Sequence, residues 1–270
     1  MHNVYCSTGA LIGRPNGRDY RLLAGCAEKT DCDGFEFMMY EDWYDKYEAV
    51  AGYLVENKIY APTFHVEKQV GELISRNRPG DTERAAALFD INCRTADLIG
   101  SKLLVLHLWG GLDSDRNIGH NIAVYRDLRE TAEKYSLTLT VENVVCNTSD
   151  PLTHMLRLAE VYPDIKFTFD TKMAQFHRQA ERFYELPAEW ISAHIAHMHV
   201  NDYGGGYKDW SRLQTLHPGE GNVDFPRLFD FVRKHYRGDF TIESTSFDKS
   251  GAIHFDRINE DIRFVRRNVG

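Results

Sequence analysis

From Lys102 onward, short runs of β-branched and aromatic residues alternate with amphipathic stretches that are long enough to form helices. In these stretches apolar residues recur at helical spacing, as at Ile118, Ile122 and Tyr125, so each can bury one side against a sheet. This order of strand and helix is typical of a parallel sheet built from βαβ units. The predicted strands are residues 103–108, 137–141, 165–169, 195–200 and 240–242.

The first hundred residues follow the same order and raise the number of predicted strands to eight. The additional strands are residues 4–8, 34–38 and 59–64, and a helix is predicted over 82–99. Residues 7–13, after the first strand, lack the G-x-G-x-x-G spacing of an open dinucleotide-binding sheet. The sequence therefore predicts an α/β protein with a (β/α)8 TIM barrel, in which residues 1–270 form one domain.

Proline and glycine mark the ends of several predicted helices. Pro151 and Pro226 stand where a first helical turn is expected, a position that tolerates the missing N–H group. Gly100 and Gly238 stand where helices are expected to end.

The composition limits the location and the partners of the protein. The 270 residues carry a formal net charge of −8, which disfavours nucleic acid and acidic membrane surfaces. No apolar run approaches the roughly 18 residues of a membrane span, and the first residues lack the pattern of a secretory signal. The five cysteines include no C-x-x-C pair, which is typical of free thiols in a reducing compartment, so a cytoplasmic protein is expected.

Six predicted strands end, at or near their last residue, in a side chain that can bind a metal ion. These residues are His65, His107, Glu142, Asp170, His199 and Glu243. The carboxyl ends of barrel strands meet on one face, which carries the chemistry of barrel enzymes. Several carboxylates in one place are costly to desolvate unless a cation neutralises them. We therefore predict one divalent metal site formed by Glu142, Asp170, His199 and Glu243.

The other residues of this face leave alternatives open. A lone carboxylate at a strand end is often the N-cap of the next helix. His65 and His107 are equally compatible with substrate contact, a second metal ion and polar packing. Glu36 is expected to be structural or to support a ligand, and His197 is expected on the opposite side of its strand from His199. The predicted ligands suit zinc, manganese, cobalt and magnesium alike.

Several short motifs occur in an order that resembles the xylose isomerase-like TIM barrel superfamily over nearly the whole chain. They are Thr140-Val141-Glu142-Asn143, Phe169-Asp170-Thr171, His199-Val200-Asn201-Asp202, residues 217–225 and Thr241-Ile242-Glu243. The superfamily contains sugar and sugar-phosphate isomerases and epimerases, inositol-catabolism isomerases, 3-dehydroshikimate dehydratases and the endonuclease IV type of DNA repair enzyme. Each motif alone is weak, and together they are more specific for the superfamily than for any member.

The resemblance implies a one-metal site of the isomerase kind. Its ligands carry over to Glu142, Asp170, His199 and Glu243, and the two glutamates carry over as proton donor and acceptor. His65 and His107 resemble the strand ends that give the endonuclease two ligands for another ion, so a second metal is compatible with the sequence.

Two positions depart from the family pattern. Members commonly have Asp-x-x-His after the sixth strand, and in the epimerases that histidine touches substrate, whereas this chain has Asp170-Thr171-Lys172-Met173. The Asp-x-His that precedes Gly-Glu-Gly in the endonuclease is replaced by Leu213-Gln214-Thr215. These departures argue against a standard ketose epimerase and against a trinuclear DNA repair site.

The resulting prediction is a metal-dependent isomerase or epimerase of carbohydrate metabolism that acts on a sugar, a sugar phosphate or an inosose. The metal would chelate a carbonyl and an adjacent hydroxyl of this small polyhydroxylated substrate, and Glu142 and Glu243 would remove and return a proton. His65, His107 and Lys172 are predicted to bind substrate. Neither nucleic acid nor a membrane is an expected partner, and a homo-oligomer is left open.

Three other functions are compatible with the same fold. A dehydratase of the 3-dehydroshikimate type would use the same metal site and release water after proton removal. A two-metal phosphodiester hydrolase like endonuclease IV predicts two ions per chain, one of them lost in His65→Ala. A sugar-binding module without catalysis predicts that Glu243→Gln keeps its affinity for ligand.

Overall fold

The structure is a computed structural model that describes residues 2–269. Its eight strands form a closed barrel in chain order, with helices between successive strands, and the strand pairs are parallel. The strands are β1 (Val4–Ser7), β2 (Phe35–Met38), β3 (Thr63–His65), β4 (Leu103–Leu106), β5 (Thr138–Glu142), β6 (Lys166–Asp170), β7 (Ile195–Val200) and β8 (Asp239–Ile242). The predicted fold class, an α/β protein of the (β/α)8 type, is confirmed.

Each connection between strands contains at least one α-helix. The helices are α1 (Leu22–Ala27), α2 (Tyr47–Glu56), α3 (Gln69–Arg76), α4 (Asp81–Leu98), α5 (Ile118–Lys134), α6 (Pro151–Val161), α7 (Thr171–Phe176), α8 (Ala180–Tyr184), α9 (Ala188–His194), α10 (Phe225–His235) and α11 (Phe255–Val269). Short 3-10 helices lie at Thr8–Ala10, Arg14–Asn16, Glu41–Lys46 and Trp210–Arg212. None of the helices within residues 2–269 has both the length and the apolar character that a membrane span requires.

The chain divides into two compact units, which are described separately. The terminal unit consists of Met1–Glu36 and Thr168–Gly270, and the central unit consists of Phe37–Phe167. That residues 1–270 form a single domain stays a prediction.

In the terminal unit, the strands bury apolar side chains that alternate with the polar residues of the candidate site. Met198 of β7 lies opposite Phe240 of β8, and both side chains are fully buried. The outer helix α11 contributes Ile258, Ile262 and Val265, which are buried and spaced by four and three positions. This spacing places them on one side of the helix, so a highly charged segment can still pack on the sheet.

In the central unit, α3 lies unusually close to the backbone that follows β4. A Cβ atom at Gly71 would lie 1.9 Å from the carbonyl oxygen of His107, so no side chain fits at position 71. The contact holds the helix against the strand end that carries the His107 side chain.

The predicted helix ends are confirmed at three of four positions. Asp150 caps α6 by accepting a 2.7 Å hydrogen bond from the Thr153 N–H, and Pro151 occupies the first turn. Asp224 caps α10 in the same way ahead of Pro226. Gly100 follows α4 with a φ of 79°, a left-handed conformation that favours glycine.

Gly238 is a glycine for a different reason from the one predicted. It does not have the left-handed φ of a helix cap, but a Cβ there would lie 2.4 Å from the Ala196 carbonyl oxygen and 2.4 Å from the Tyr236 hydroxyl oxygen. The backbone just before β8 therefore passes so close to β7 that no side chain fits at position 238.

The third strand is shorter and later than predicted. Instead of residues 59–64 it spans Thr63–His65, because the Ile59 N–H bonds back to the Leu54 carbonyl at the end of α2. Pro62 has no N–H to give to a strand ladder. His65 therefore lies within the strand, not after it.

Candidate metal centre

The terminal unit brings together three of the four predicted metal ligands. Asp170 ends β6, His199 lies in β7 and Glu243 follows β8. His199 Nδ1 lies 3.4 Å from Glu243 Oε2 and 3.9 Å from Asp170 Oδ2. The side chains of Asp170 and His199 are fully buried and that of Glu243 is 12% exposed. Two carboxylates thus face one imidazole nitrogen, and Glu243 is the one that a ligand can reach from solvent.

Asn201 holds both carboxylates in place. Its Nδ2 group donates to Asp170 Oδ2 and to Glu243 Oε2, each at 3.1 Å, and the residue is fully buried. Asn201 belonged to one of the recognised motifs but was not predicted as a site residue. Asn201 lies two residues after His199, and in an extended chain such residues point to the same side. This spacing is the sequence signal that could have identified Asn201 as a site residue.

Asp170 is both a helix cap and a candidate ligand. Its Oδ1 atom accepts a 2.7 Å hydrogen bond from the Met173 N–H at the start of α7, while Oδ2 faces Asn201 and His199. The two roles use different oxygens, so the capping interpretation and the ligand interpretation are compatible.

Glu36 orients His199. Its Oε2 atom lies 3.1 Å from His199 Nε2, and since a carboxylate accepts, His199 donates from Nε2. Nδ1 then faces Glu243 and Asp170, with a lone pair in the neutral ring and with a proton in the charged ring. Burial acts to raise the pKa of Glu36, but the charge of His199 and the hydrogen bonds from His197 and His199 hold it well below its usual range. A buried carboxylate behind a histidine is a common way of fixing a ligand tautomer.

The expectation that His197 lies on the opposite side of β7 from His199 was wrong. His197 Nε2 lies 3.4 Å from the same Glu36 oxygen and 2.8 Å from Thr241 Oγ1. Residues two apart in a strand point to the same face, so His197 occupies a deeper layer below His199. Its buried partners agree with a structural role.

The central unit brings together Glu142, His65 and His107. Glu142 Oε2 lies 2.8 Å from His107 Nε2 and 3.4 Å from His65 Nε2, and all three side chains are at least largely buried. Burial, with nearby His65 and Lys68, lowers the pKa of His107 to about 4 despite the opposing effect of Glu142. His107 is therefore neutral near pH 7 and donates to Glu142 from Nε2.

His65 presents a nitrogen suited to a metal. Its Nδ1 atom lies 2.9 Å from the Val66 carbonyl oxygen, which only accepts, so Nδ1 carries the proton. In the neutral ring Nε2 then has a lone pair, and this atom lies 3.4 Å from the Glu142 carboxylate. A proton or a cation is needed where two acceptors meet.

Lys172, predicted to bind substrate, lies in the first turn of α7. Its side chain is 9% exposed, and Nζ donates a 2.8 Å hydrogen bond to the hydroxyl of Thr215. Thr215 stands in the segment that was compared with the endonuclease motif, so Lys172, the neighbour of the departing residue Met173, contacts that segment.

Residues 217–225, one of the recognised motifs, are held by a residue with no predicted role. The buried Asp202 carboxylate accepts hydrogen bonds from the N–H groups of Tyr203, Gly219, Gly221 and Val223 at 2.8–3.0 Å. A Cβ at Gly221 would lie 2.4 Å from Asp202 Oδ1. The glycine therefore serves this tight loop and supplies no catalytic group.

A second buried aspartate that the sequence did not reveal shapes the loop after β5. Asp115 accepts from the N–H groups of Asn147, Thr148 and Ser149 at 2.7–2.9 Å and lies 2.9 Å from His154 Nε2. Its carboxylate is fully buried. The loop that leaves Glu142 is therefore anchored by one charge.

We expect the stability of the fold to depend on Asp115 ionisation. Burial acts to raise its pKa, but hydrogen bonds from His154, Thr148 and Ser149 outweigh burial and hold the pKa well below its usual range. Because the folded pKa is below the unfolded value of about 3.9, the stabilisation is present above about pH 4 and is lost as the pH falls further. Asp115→Asn should lower the free energy of unfolding at pH 7 by about 2–3 kcal/mol, and by less at pH 3.

Urea denaturation at both pH values measures this effect. The matched control is Asp127→Asn, since the Asp127 side chain is 70% exposed and should change stability by less than about 0.5 kcal/mol. An equal loss for Asp115→Asn at pH 7 and pH 3 would contradict the assigned role of the charge.

A family model for the xylose isomerase-like TIM barrel matches residues 26–268. The chain therefore belongs to the xylose isomerase-like TIM barrel family, as its motifs indicated. No curated protein matches the sequence.

Several solved structures have the same fold. The D-allulose 3-epimerase of Methylomonas sp., solved in complex with D-allulose, is 16% identical with a TM-score of 0.72, over 99% of this chain and 97% of that chain. The IolI protein with a bound zinc atom is 13% identical with a TM-score of 0.70, over 99% and 98%. The 3-keto-D-glucoside 4-epimerase of E. coli is 15% identical with a TM-score of 0.65, over 99% and 100%. At these identities the similarity establishes the fold alone.

Proposed function

We propose that this protein is a metal-dependent isomerase or epimerase of a small polyhydroxylated substrate: a sugar, a sugar phosphate or an inosose. The observation that carries the proposal is the buried group of Asp170, His199 and Glu243, whose ligand atoms lie within 4.8 Å of one another. Two ionised carboxylates are costly to bury at this distance unless a cation offsets their charge, and two oxygens with one imidazole nitrogen are a suitable set for a divalent ion.

The proposed fourth ligand is Glu142, at the end of β5. It is supported by the order of strands in the barrel, where β5 precedes β6, and by the rule that strand ends of such barrels carry the reactive groups. The ion would be zinc, manganese, cobalt or magnesium, and it would supply a Lewis acid that polarises a carbonyl and makes the adjacent C–H more acidic. A second ion at His65, His107 and Glu142 is consistent with the lone pair of His65 Nε2.

In this proposal Glu142 and Glu243 transfer the substrate proton. One removes it from the carbon next to the carbonyl, and the other returns it, so an epimer or an isomer results. Glu243 is the better supported of the two, because it is the most exposed member of its group and Asn201 fixes one of its oxygens. Neutral His107 donates to Glu142 from Nε2, so its Nδ1 lone pair would accept a hydrogen bond from a substrate hydroxyl.

The similar structures support the same reading. Proteins of this fold are named as D-allulose 3-epimerase and 3-keto-D-glucoside 4-epimerase, and the IolI protein was solved with zinc. Cytoplasmic location, the absence of nucleic acid and membrane partners, and a homo-oligomer remain predictions from the sequence.

Metal content and solvent-deuterium exchange test the proposal together. We expect one or two divalent ions per chain by elemental analysis of the purified protein, and deuterium from the solvent in a product of unchanged molecular formula. The screen covers ketoses, inososes and their phosphates. Loss of water from the substrate would favour the dehydratase, cleavage of a phosphodiester would favour the hydrolase, and binding without exchange would favour a sugar-binding module.

A further inference from the structure

Lys172 is a buried cation that forms no ion pair with a carboxylate within residues 2–269. Its side chain is nine-tenths buried, and Nζ is hydrogen-bonded to the neutral hydroxyl of Thr215. In the part of the chain that the structure describes, no carboxylate oxygen forms an ion pair with Nζ within 4 Å. The preceding carboxylate, Asp170, directs its two oxygens to Met173 N and Asn201 Nδ2.

This arrangement is expensive for a structural lysine. Removing an ammonium group from water is costly unless an opposite charge and full hydrogen bonding replace the solvent. An ammonium has three donors, and one hydroxyl satisfies one of them. A residue with only a packing role in α7 would be apolar, so the charge is better explained by a ligand that brings an anion.

The position of Lys172 directs such an anion to the candidate site. The residue lies two positions after Asp170, and the start of α7 is tied to β7 because Thr171 Oγ1 donates to the Asn201 carbonyl at 2.6 Å. Thr215 lies beside Leu216, whose backbone pairs with Asp202 just beyond the end of β7. Lys172 and Thr215 therefore come from the two segments that leave the strands carrying Asp170 and His199.

We propose that Lys172 and Thr215 bind an anionic group of the substrate, so that the protein prefers a polyhydroxylated compound bearing a phosphate monoester or a carboxylate over its neutral counterpart. The inference rests on the proposed function, which it narrows from polyhydroxylated substrates in general to acidic ones. An ammonium is a point charge that accepts either oxyanion. Phosphate and carboxylate are separated by the experiment.

Anion binding is measured first, without turnover. Inorganic phosphate and gluconate are titrated into the purified protein by calorimetry, with sorbitol as the neutral comparison. We expect Lys172→Met to weaken binding of the preferred anion by about 10- to 100-fold and Thr215→Val to weaken it less. Lys249→Met, which removes an exposed lysine, should bind like the wild type. His199→Ala, which removes a proposed metal ligand, should retain anion binding.

Turnover is measured next, as solvent-deuterium exchange with ketohexoses, their 6-phosphates and the matching keto-sugar acids. We expect wild-type kcat/KM to favour one acidic class over neutral ketoses by at least about tenfold. Lys172→Met should lose that preference through KM, and Lys172→Arg should keep part of it. Circular dichroism and thermal melting establish that the variants are folded.

The two proposals can fail separately. If anion binding depends on Lys172 but no compound shows exchange, the proposed isomerase function is wrong and the proposed anion site is supported. If only neutral ketoses show exchange, and Lys172→Met binds anions as tightly as the wild type, the proposed anion site is wrong and the proposed isomerase function is supported.

Discussion

Replacing Glu243 by glutamine should slow solvent-deuterium exchange by about 10²- to 10⁴-fold, the usual contribution of a general acid–base group. Glutamine keeps the size of the side chain and can still face Asn201, but it cannot take up a proton. Glu243 is the member of its group that solvent reaches, at 12% exposure, whereas Asp170 and His199 are fully buried. The substrate proton is therefore expected to pass through Glu243, and Asp170 is expected to serve the metal alone.

The measurement is the exchange rate under single-turnover conditions, with metal content determined on the same samples. Glu189→Gln is the matched control, because it makes the same chemical change on the exposed surface of α9. A Glu243→Gln variant that keeps its metal and exchanges at the wild-type rate would place the chemistry on another residue. Loss of metal together with rate would show that the carboxylate acts first as a ligand.

Gly71→Ala should destabilise the protein by about 3 kcal/mol, at the upper end of overpacking effects. The added methyl would lie 1.9 Å from the carbonyl oxygen of His107, a backbone atom that cannot turn aside. Helix α3 or the end of β4 must move, so the hydrogen bond of 2.8 Å between His107 and Glu142 should also be disturbed. Both stability and exchange rate are expected to fall.

Gly52→Ala is the control for this substitution. Gly52 lies in α2 with no heavy atom within 4 Å of the added methyl, so alanine should stabilise the protein by about 0.5–1 kcal/mol through helix propensity. Urea denaturation of both variants gives the comparison. If both substitutions change the free energy of unfolding by the same amount and with the same sign, the close approach at Gly71 does not affect stability.

The barrel was predictable because its signals are local. Strand and helix periods, the caps at Asp150 and Asp224 and the left-handed turn at Gly100 all depend on neighbours within a few residues. The prediction was weaker where a partner far along the chain sets the outcome. The reason for Gly238 is the Ala196 carbonyl, which lies forty-two positions earlier in the sequence. β3 was misplaced for a local reason, the hydrogen bond from the Ile59 N–H back to the end of α2.

In the candidate site, too, features set by the local sequence were predicted and features set by distant partners were not. Asp170, His199 and Glu243 were identified from the sequence because ligand-type residues at strand ends converge in any barrel. Glu36 was expected to be structural or to support a ligand, but its partner His199 was not identified, since a hydrogen bond across 163 positions leaves no local pattern. Asn201 was not predicted as a site residue. His197 was placed on the wrong side by a misapplied strand period.

The sequence by itself determined the order of strands and helices, the family, and which side chains stand at the strand ends, because these follow from short-range periodicity and chain direction. Only the tertiary structure decided how those side chains are held: which nitrogen of His199 faces the carboxylates, that Asp115 and Asp202 anchor loops, and that Lys172 is buried beside the neutral hydroxyl of Thr215. These properties depend on burial and on distances between atoms from distant segments, and both exist only once the chain has folded.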